Sequence, residues 1–554
     1  MKRSFLIVCL TCLLLQVTAQ KVSKADAELI ARIDKIMTAA YPSGGTGATV
    51  LVSRKGDILY QKAFGMANLE LGVPMNPDHV FRIGSISKQF TAVAILQLSE
   101  QGKLSLQDEI TKFIPTYPMH GYKITVEQLL NHTSGIKNVT DMKEWDEQVQ
   151  RKDFTPEALI DFFKYQPMDF APGTKWSYSN SGYILLGVII EKASGISYTK
   201  YIEDNFFKPL GMNHSYYDDS RKLIRNRVSG YEPGKDTVTN TGYLSMTQPY
   251  SAGSLLSTVG DLFKWNQAVQ GYKLLKKESV SKAFTEGFLP NGKSMEYGYG
   301  WGIGELSGSK TVEHSGGING SLTNAIYIPE NEVYVAVLSN CTCKPPTDAS
   351  IKIAAAVTGK TIGSHKAVST KGIDLKKYEG AYENEDGILR YVQMDGDTLK
   401  SQRGGGSKLP LHMYENGKFF YENTLSSLEF IEKDGKIISH LYRTGTRYPS
   451  TWVKTHKPFP DQQKTVTIDP AILKTYEGNY TITQNFAIEI TSEGNRLFAQ
   501  ATGQDKFELF ATDASHWFLK VVDAKVEFVK DSSGNISTLI LDQGGSKMEA
   551  KKIN

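Results

Sequence analysis

Apolar and polar positions alternate along the chain with two different periods, and the change between them divides it. From about 23 to 360 the pattern mixes helices and strands. A helix is predicted near 24–40, then two strands, "TGATVLVSRKG" at 46–56 and "ILYQKAFGMAN" at 58–68. Helix starts follow. Thr125-Val126-Glu127-Gln128 reads as a capping box, Thr155-Pro156 as a cap with proline in the first turn, and Thr258 caps "TVGDLFKWNQAV". Alternating strands return in "SLTNAIYIPENEVYVAVLSN", with Pro329-Glu330-Asn331-Glu332 as the turn, and a helix near 348–357 closes the region. Strands at both ends with helices between them predict an α+β unit: an antiparallel sheet with flanking helices and an inserted helical subdomain.

Beyond 360 only short alternating runs remain, broken by Gly, Asn and Asp. "LKKYEGAY" at 375–382 recurs as "LKTYEGNY" at 473–480, an offset of 98, and Leu428-Glu429-Phe430 recurs as Val526-Glu527-Phe528. This internal duplication predicts two small antiparallel β-barrels or sandwiches. The expected organisation is a signal peptide at 1–19, a catalytic domain at 20–360, a linker at 361–372, a repeat at 373–456, a linker at 457–471 and a second repeat at 472–554.

Composition changes the picture at the N-terminus. Lys2 and Arg3 precede an uncharged, mostly apolar run from Phe5 to Leu15, which ends in Val17-Thr18-Ala19. That is the build of a cleaved secretory signal, so a secreted or periplasmic protein is expected. Loss of Lys2 and Arg3 takes the formal charge from +4 to +2. So small a charge, with no basic run interleaved with aromatics, is no footprint for nucleic acid. Cys9 and Cys12 fall in the signal; Cys341 and Cys343 read as two ordinary thiols at a strand end, and no ligand set for a metal is evident.

Three short motifs carry the chemistry. Ser-x-x-Lys occurs five times, beginning at Ser85, Ser134, Ser197, Ser279 and Ser307. Ser85 differs because "ISKQFTAVAILQLSEQG" after it is a helix with an apolar middle, which buries its own first turn. There Ser85 and Lys88, three apart, share a face near backbone N–H donors, and a buried lysine loses basicity. Tyr178-Ser179-Asn180 reads as an extended segment that points phenol and amide into one cleft. His314-Ser315-Gly316-Gly317, holding the chain's one His-x-Gly, reads as a strand ending in small residues.

In this order the motifs resemble those of the serine β-lactamase and penicillin-binding-protein superfamily, class C branch. "NHTSGI" at 131–136, "PGTKWSYSNSGYILLGVIIEKASG" at 172–195 and "SAGSLLSTVGDLFKW" at 251–265 resemble it too, over roughly residues 25–360. The resemblance implies that Ser85 attacks a carbonyl to form an acyl-enzyme, with Lys88 and Tyr178 sharing the proton transfers. Which of the two is the base stays open. It further implies that Asn180 binds substrate and orients Lys88, that Ser85 and Gly317 N–H groups form the oxyanion hole beside Gly316, and that no cofactor is needed. Where β-lactamases of this branch carry lysine, this chain has His314, as in relatives that act as D-amino-acid peptidases and esterases. His314 is expected to face the substrate's far end, and to favour carboxylated ligands as pH falls. The repeats resemble lipocalin-like tail domains of D-aminopeptidase-type members. The expected function is an exported serine hydrolase of peptide, amide or ester bonds, D-amino-acid-containing ones included, in a small or short-peptide substrate, with cell-wall peptides among the candidates. β-Lactamase or DD-carboxypeptidase activity, and a non-catalytic cell-wall peptide-binding protein, are the alternatives.

Overall fold

The computed structural model describes residues 23–553 apart from 235–236, 361, 363–364, 386, 404–407, 423, 460–464, 484–485, 503–505, 521–523 and 544–545. The expected signal segment lies outside the described residues, as do parts of both expected linkers.

Helix α1 (Lys24–Ala40) starts where Ser23 Oγ accepts the Asp26 N–H. Strands β1 (Ala48–Arg54) and β2 (Asp57–Phe64) follow as a hairpin. Four further strands come late in the chain: β3 (Gly302–Leu306), β4 (Ser309–Ile318), β5 (Ser321–Ile328) and β6 (Val333–Ser339). They join β1 and β2 in one sheet, in the order β3-β4-β5-β6-β1-β2. Early and late segments meet where β1 pairs antiparallel with β6, from Ala48↔Ser339 to Arg54↔Val333. Every β6 residue is buried, so this strand is covered on both faces.

The intervening chain supplies the helices. Helix α2 (Ser87–Glu100) is buried along nearly its whole length and packs against α3 (Asn180–Ser194). Phe90 on α2 stacks on Trp265 of α4 (Val259–Gln270), ring centroids 3.9 Å apart, and Trp265 Nε1 donates to Gln89 Oε1. The capping residues behave as their types require. Thr125 and Gln128 exchange both bonds of a capping box, while Thr155 and Thr258 accept from Ala158 and Asp261. Helix α5 (Thr347–Thr358) closes the region.

The two cysteines are not free thiols. Cys341 and Cys343 are joined as a disulfide, their Cα atoms 5.1 Å apart and so within bridging distance. The chain turns sharply just beyond β6, which brings together side chains that an extended segment would keep apart.

Contacts divide the described chain into two compact units. One holds the chain up to Trp301 with Val312–Lys360; the other holds Gly302–Thr311 with Thr361–Asn554. The second unit contains two closed barrels of eight antiparallel strands, from Gly380–Glu383 to Ser450–Thr455 and from Gly478–Thr483 to Ser546–Ile553. The duplication is structural as well. Tyr382 Oη donates to the Tyr378 carbonyl, and at the same offset Tyr480 Oη donates to the Tyr476 carbonyl. Among the described residues no helix is long and apolar enough to cross a membrane.

Candidate active site

Ser85 sits on a single 3₁₀ turn, Gly84–Ile86, which runs into α2 at Ser87. The sheet holds this turn from one side: Ser321 and Thr323 on β5 donate to the carbonyls of Arg82 and Ile83. Backbone approach to β4 is close enough to demand glycine on both partners. A Cβ on Gly84, whose φ is +51°, would lie 2.9 Å from Gly317 N. One on Gly316 would lie 2.0 Å from the Ile83 carbonyl oxygen. Ser85 is therefore pinned against Gly316-Gly317 by packing rather than by its own side chain.

One turn into the helix, Lys88 has no solvent exposure. Its Nζ lies 3.1 Å from Ser85 Oγ, 2.9 Å from Asn180 Oδ1 and 2.9 Å from the Ala252 carbonyl. It forms no ion pair among the described residues, and burial pushes the ammonium well below the usual lysine range. Asn180 was expected in an extended segment. It is instead the first residue of α3, with Ser179 as the extended N-cap. The cap turns the chain, so Asn180 reaches Lys88 while its Nδ2 donates to Thr140 Oγ1 at 3.2 Å. Tyr178 precedes the cap, with its ring centroid 4.8 Å from Lys88 Nζ. The phenol is buried and makes no hydrogen bond of regular geometry. Burial raises its pKa, and the nearby Ser85 hydroxyl offsets part of that.

Behind these groups lies a buried aromatic cluster that sequence reasoning missed. His132 packs on Tyr178, Tyr297 and Tyr183 with ring centroids at 4.4, 4.7 and 5.1 Å. Its Nδ1 accepts the Ser179 N–H at 3.1 Å, which ties the Tyr178–Asn180 segment in place. The one available signal was its membership of "NHTSGI"; nothing in residue type or spacing singled it out.

His314 departs from expectation. Its Nδ1 lies 2.6 Å from the Ser315 carbonyl, which only accepts, so Nδ1–H donates and Nε2 accepts from Tyr297 Oη at 2.9 Å. Both ring nitrogens are thus satisfied inside the protein, and no nitrogen is left to meet a substrate carboxylate. Burial, with Lys88 nearby, pushes its pKa down to about 3. The expected gain in carboxylate binding as pH falls toward the ordinary histidine range is accordingly corrected: the imidazole stays neutral throughout that range.

The open side of the site is a cavity of about 170 Å³ that reaches Ser85, Asn180 and Gly317, with Trp145, Ile184, Leu244 and Ile318 among its walls. None of its lining side chains carries a charge. Lys88, Tyr178 and His314 stand behind this surface rather than on it. A larger hollow of about 410 Å³ beside His516 and Lys525 of the second barrel brings no comparable set together.

A buried amine at the start of a helix, against a serine hydroxyl on a turn held by an antiparallel sheet, defines a class of serine hydrolases, and comparison with known proteins gives the same class. The β-lactamase family model matches residues 33–360, and the chain belongs to that family of β-lactamase-fold serine hydrolases. A model described as a domain of unknown function matches 462–552, the region of the second barrel. Penicillin-binding protein 4* of Bacillus subtilis is 27% identical over 520 residues, 91% of this chain and 94% of that protein. The octameric penicillin-binding protein homologue from Pyrococcus abyssi is 30% identical, with a TM-score of 0.55, over 78% of this chain and all of that one. A D-stereospecific amidohydrolase from a Streptomyces species is 27% identical, with a TM-score of 0.53, over 60% of this chain and 99% of that one.

Proposed function

We propose that this protein is an exported serine hydrolase that cleaves peptide, amide or ester bonds through an acyl-Ser85 intermediate. The observation that carries the reading is Lys88, an amine buried without a carboxylate partner and 3.1 Å from Ser85 Oγ. A neutral amine has two N–H bonds and one lone pair. Here the two bonds serve Asn180 Oδ1 and the Ala252 carbonyl, which leaves the lone pair for the Ser85 hydroxyl proton. This favours Lys88 over Tyr178 as the base, because burial makes the lysine easier and the phenol harder to deprotonate.

In the acylation step Ser85 Oγ bonds to the substrate carbonyl carbon as its proton passes to Lys88. The oxyanion is met by the N–H groups of Ser85 and Gly317, each such donor being worth roughly 10²–10³ in rate. Collapse breaks the bond to the leaving group, which takes a proton from the Lys88–Tyr178 pair. Water then attacks the acyl carbon, gives its proton to Lys88, and releases the acid as Ser85 regains a proton. The uncharged, partly apolar cavity suits a neutral acyl group, and the amidohydrolase relative supports a substrate containing a D-residue. The relatives named for penicillin binding favour acylation by β-lactams as a second reading, but no charged side chain lines the cavity to hold a β-lactam carboxylate.

The test is a panel of D- and L-aminoacyl anilides, short acyl esters and nitrocefin, together with fluorophosphonate labelling. Ser85→Ala is expected to lose all turnover and all labelling. Labelling that survives in Ser85→Ala but disappears in Ser197→Ala would move the active site to the other helix start.

A further inference from the structure

The first barrel contains a charge that its fold does not need. Arg390 lies on the strand Leu389–Asp395 and points inward with Val392, a core residue of that barrel. It is 6% exposed. One terminal nitrogen donates to Ser401 Oγ at 2.9 Å and to Tyr421 Oη at 2.7 Å, and the guanidinium lies over the Trp452 ring at 4.7 Å. Its Nε and the Trp452 Nε1 are buried donors without a partner among the described residues. No carboxylate pairs with it among the described residues. The charges it feels are Arg403, directly across the strand pair, and Arg443, both exposed and turned inward by strand alternation at the same end of the barrel. A buried, unpaired cation beside two more cations is costly.

The duplicate barrel shows that this cost is not a requirement of closure. In equivalent register Ile488 stands for Arg390 and Ala501 for Arg403, since Ile488 pairs with Ala501 as Arg390 pairs with Arg403. Ala499, Leu519 and Ala550 likewise replace Ser401, Tyr421 and Trp452. Ile488 and Ala550 belong to an apolar core, against which Leu519 and Ala501 pack. At these positions the same architecture thus holds hydrocarbon in one copy, and in the other a buried cation with two donors that lack a partner among the described residues.

We propose that the first barrel binds an oxyanion, a carboxylate or phosphate group on a small molecule, at Arg390, with Arg403 and Arg443 at the entrance. Eight strands leave room for one small ligand at most, the mouth of a barrel is a common ligand site, and a guanidinium fork matches the oxygens of either group. The inference is independent of the reading of Ser85.

The test uses the full chain at constant ionic strength, with chloride as reference and inorganic phosphate and sodium benzoate as probes. Calorimetric titration and thermal denaturation are followed for wild type, Arg390→Ile and Arg403→Ile. Arg390→Ile copies the second barrel and is expected to fold; Arg403→Ile alters an exposed position, so at least one variant remains interpretable. Expected are saturable binding of at least one probe to wild type at one site per chain, a rise in melting temperature with that probe, and at least tenfold weaker binding in both variants. Binding of one probe alone identifies which oxyanion the site takes. No binding of either probe to wild type, or binding undiminished in the variants, overturns the proposal.

Discussion

The contact between Gly84 and β4 can be tested by a single methyl group. In Gly84→Ala the new Cβ lies 2.9 Å from Gly317 N and 3.2 Å from the carbonyl carbons of Gly316 and Gly317, all backbone atoms without a rotamer to change. Non-bonded carbons come to rest at about 3.5 Å, so β4 recedes by at least roughly 0.3 Å or the turn carrying Ser85 moves away. The φ of +51° adds about 1–2 kcal/mol for any residue with a Cβ. Overpacking of this kind costs about 1–3 kcal/mol more, about 2–5 kcal/mol with the strain, which most domains stable by about 5–15 kcal/mol survive. Activity suffers more. Displacing Gly317 N–H from Ser85 misplaces one of the two proposed oxyanion donors, and such a shift is expected to lower the rate about 10²-fold, or 10³-fold if the donor is lost. The assay is kcat/KM on a neutral p-nitrophenyl ester, with circular dichroism to confirm folding. Gly316→Ala, whose Cβ would lie 2.0 Å from the Ile83 oxygen, is expected to fall further. A folded Gly84→Ala protein with wild-type kcat/KM would refute the argument that this approach positions the oxyanion donors.

Further outcomes are expected at the site and along the chain. Tyr178→Phe removes a buried hydroxyl without a regular partner, so melting temperature holds or rises while kcat falls about 10²–10⁴-fold; parallel loss of both would mean a structural role instead. kcat/KM rises with pH on a single limb as Lys88 loses its proton, with a midpoint well below the ordinary lysine range, and the limb vanishes in Lys88→Met along with activity. His314, at about 3, adds no limb between pH 5 and 8; a limb there that disappears in His314→Gln would show that the imidazole titrates after all. Because the folded state depresses the pKa of Lys88, His132 and His314, the unfolded chain binds more protons, and stability falls as pH drops below the ordinary lysine range for Lys88 and below the ordinary histidine range for His132 and His314, a trend thermal melts can read. Limited proteolysis is expected to cut first near 361–372 and 457–470, and a first cut inside 90–350 would contradict the proposed boundaries.

Much of this was legible in the chain because it rests on interactions a few residues long. Thr125, Thr155 and Thr258 cap their helices through bonds to the N–H three residues on, and such bonds form whatever surrounds them. The duplicated Tyr-Glu-Gly segments likewise carry their own Tyr-to-carbonyl bond in each barrel. Other features could be settled only by packing. The apolar run after Ser85 already separated it from the other four Ser-x-x-Lys segments, but the partners of Lys88 came from packing: Asn180, 92 residues away, and Ala252, 164 away. The turn that faced Asn180 toward Lys88 came from the Ser179 cap, whose effect on direction no alternation pattern contains. His314 was read outward from its strand, yet Tyr297 and the Ser315 carbonyl take both its nitrogens, because a neutral imidazole in a dry cluster is held by whatever donors and acceptors lie within 3 Å. Nothing in residue type or spacing marks Arg390 in the sequence. Closure of the barrel buries it and removes the water that would have solvated its charge, whereas alternation of side chains, all that sequence supplies, says only which way it points.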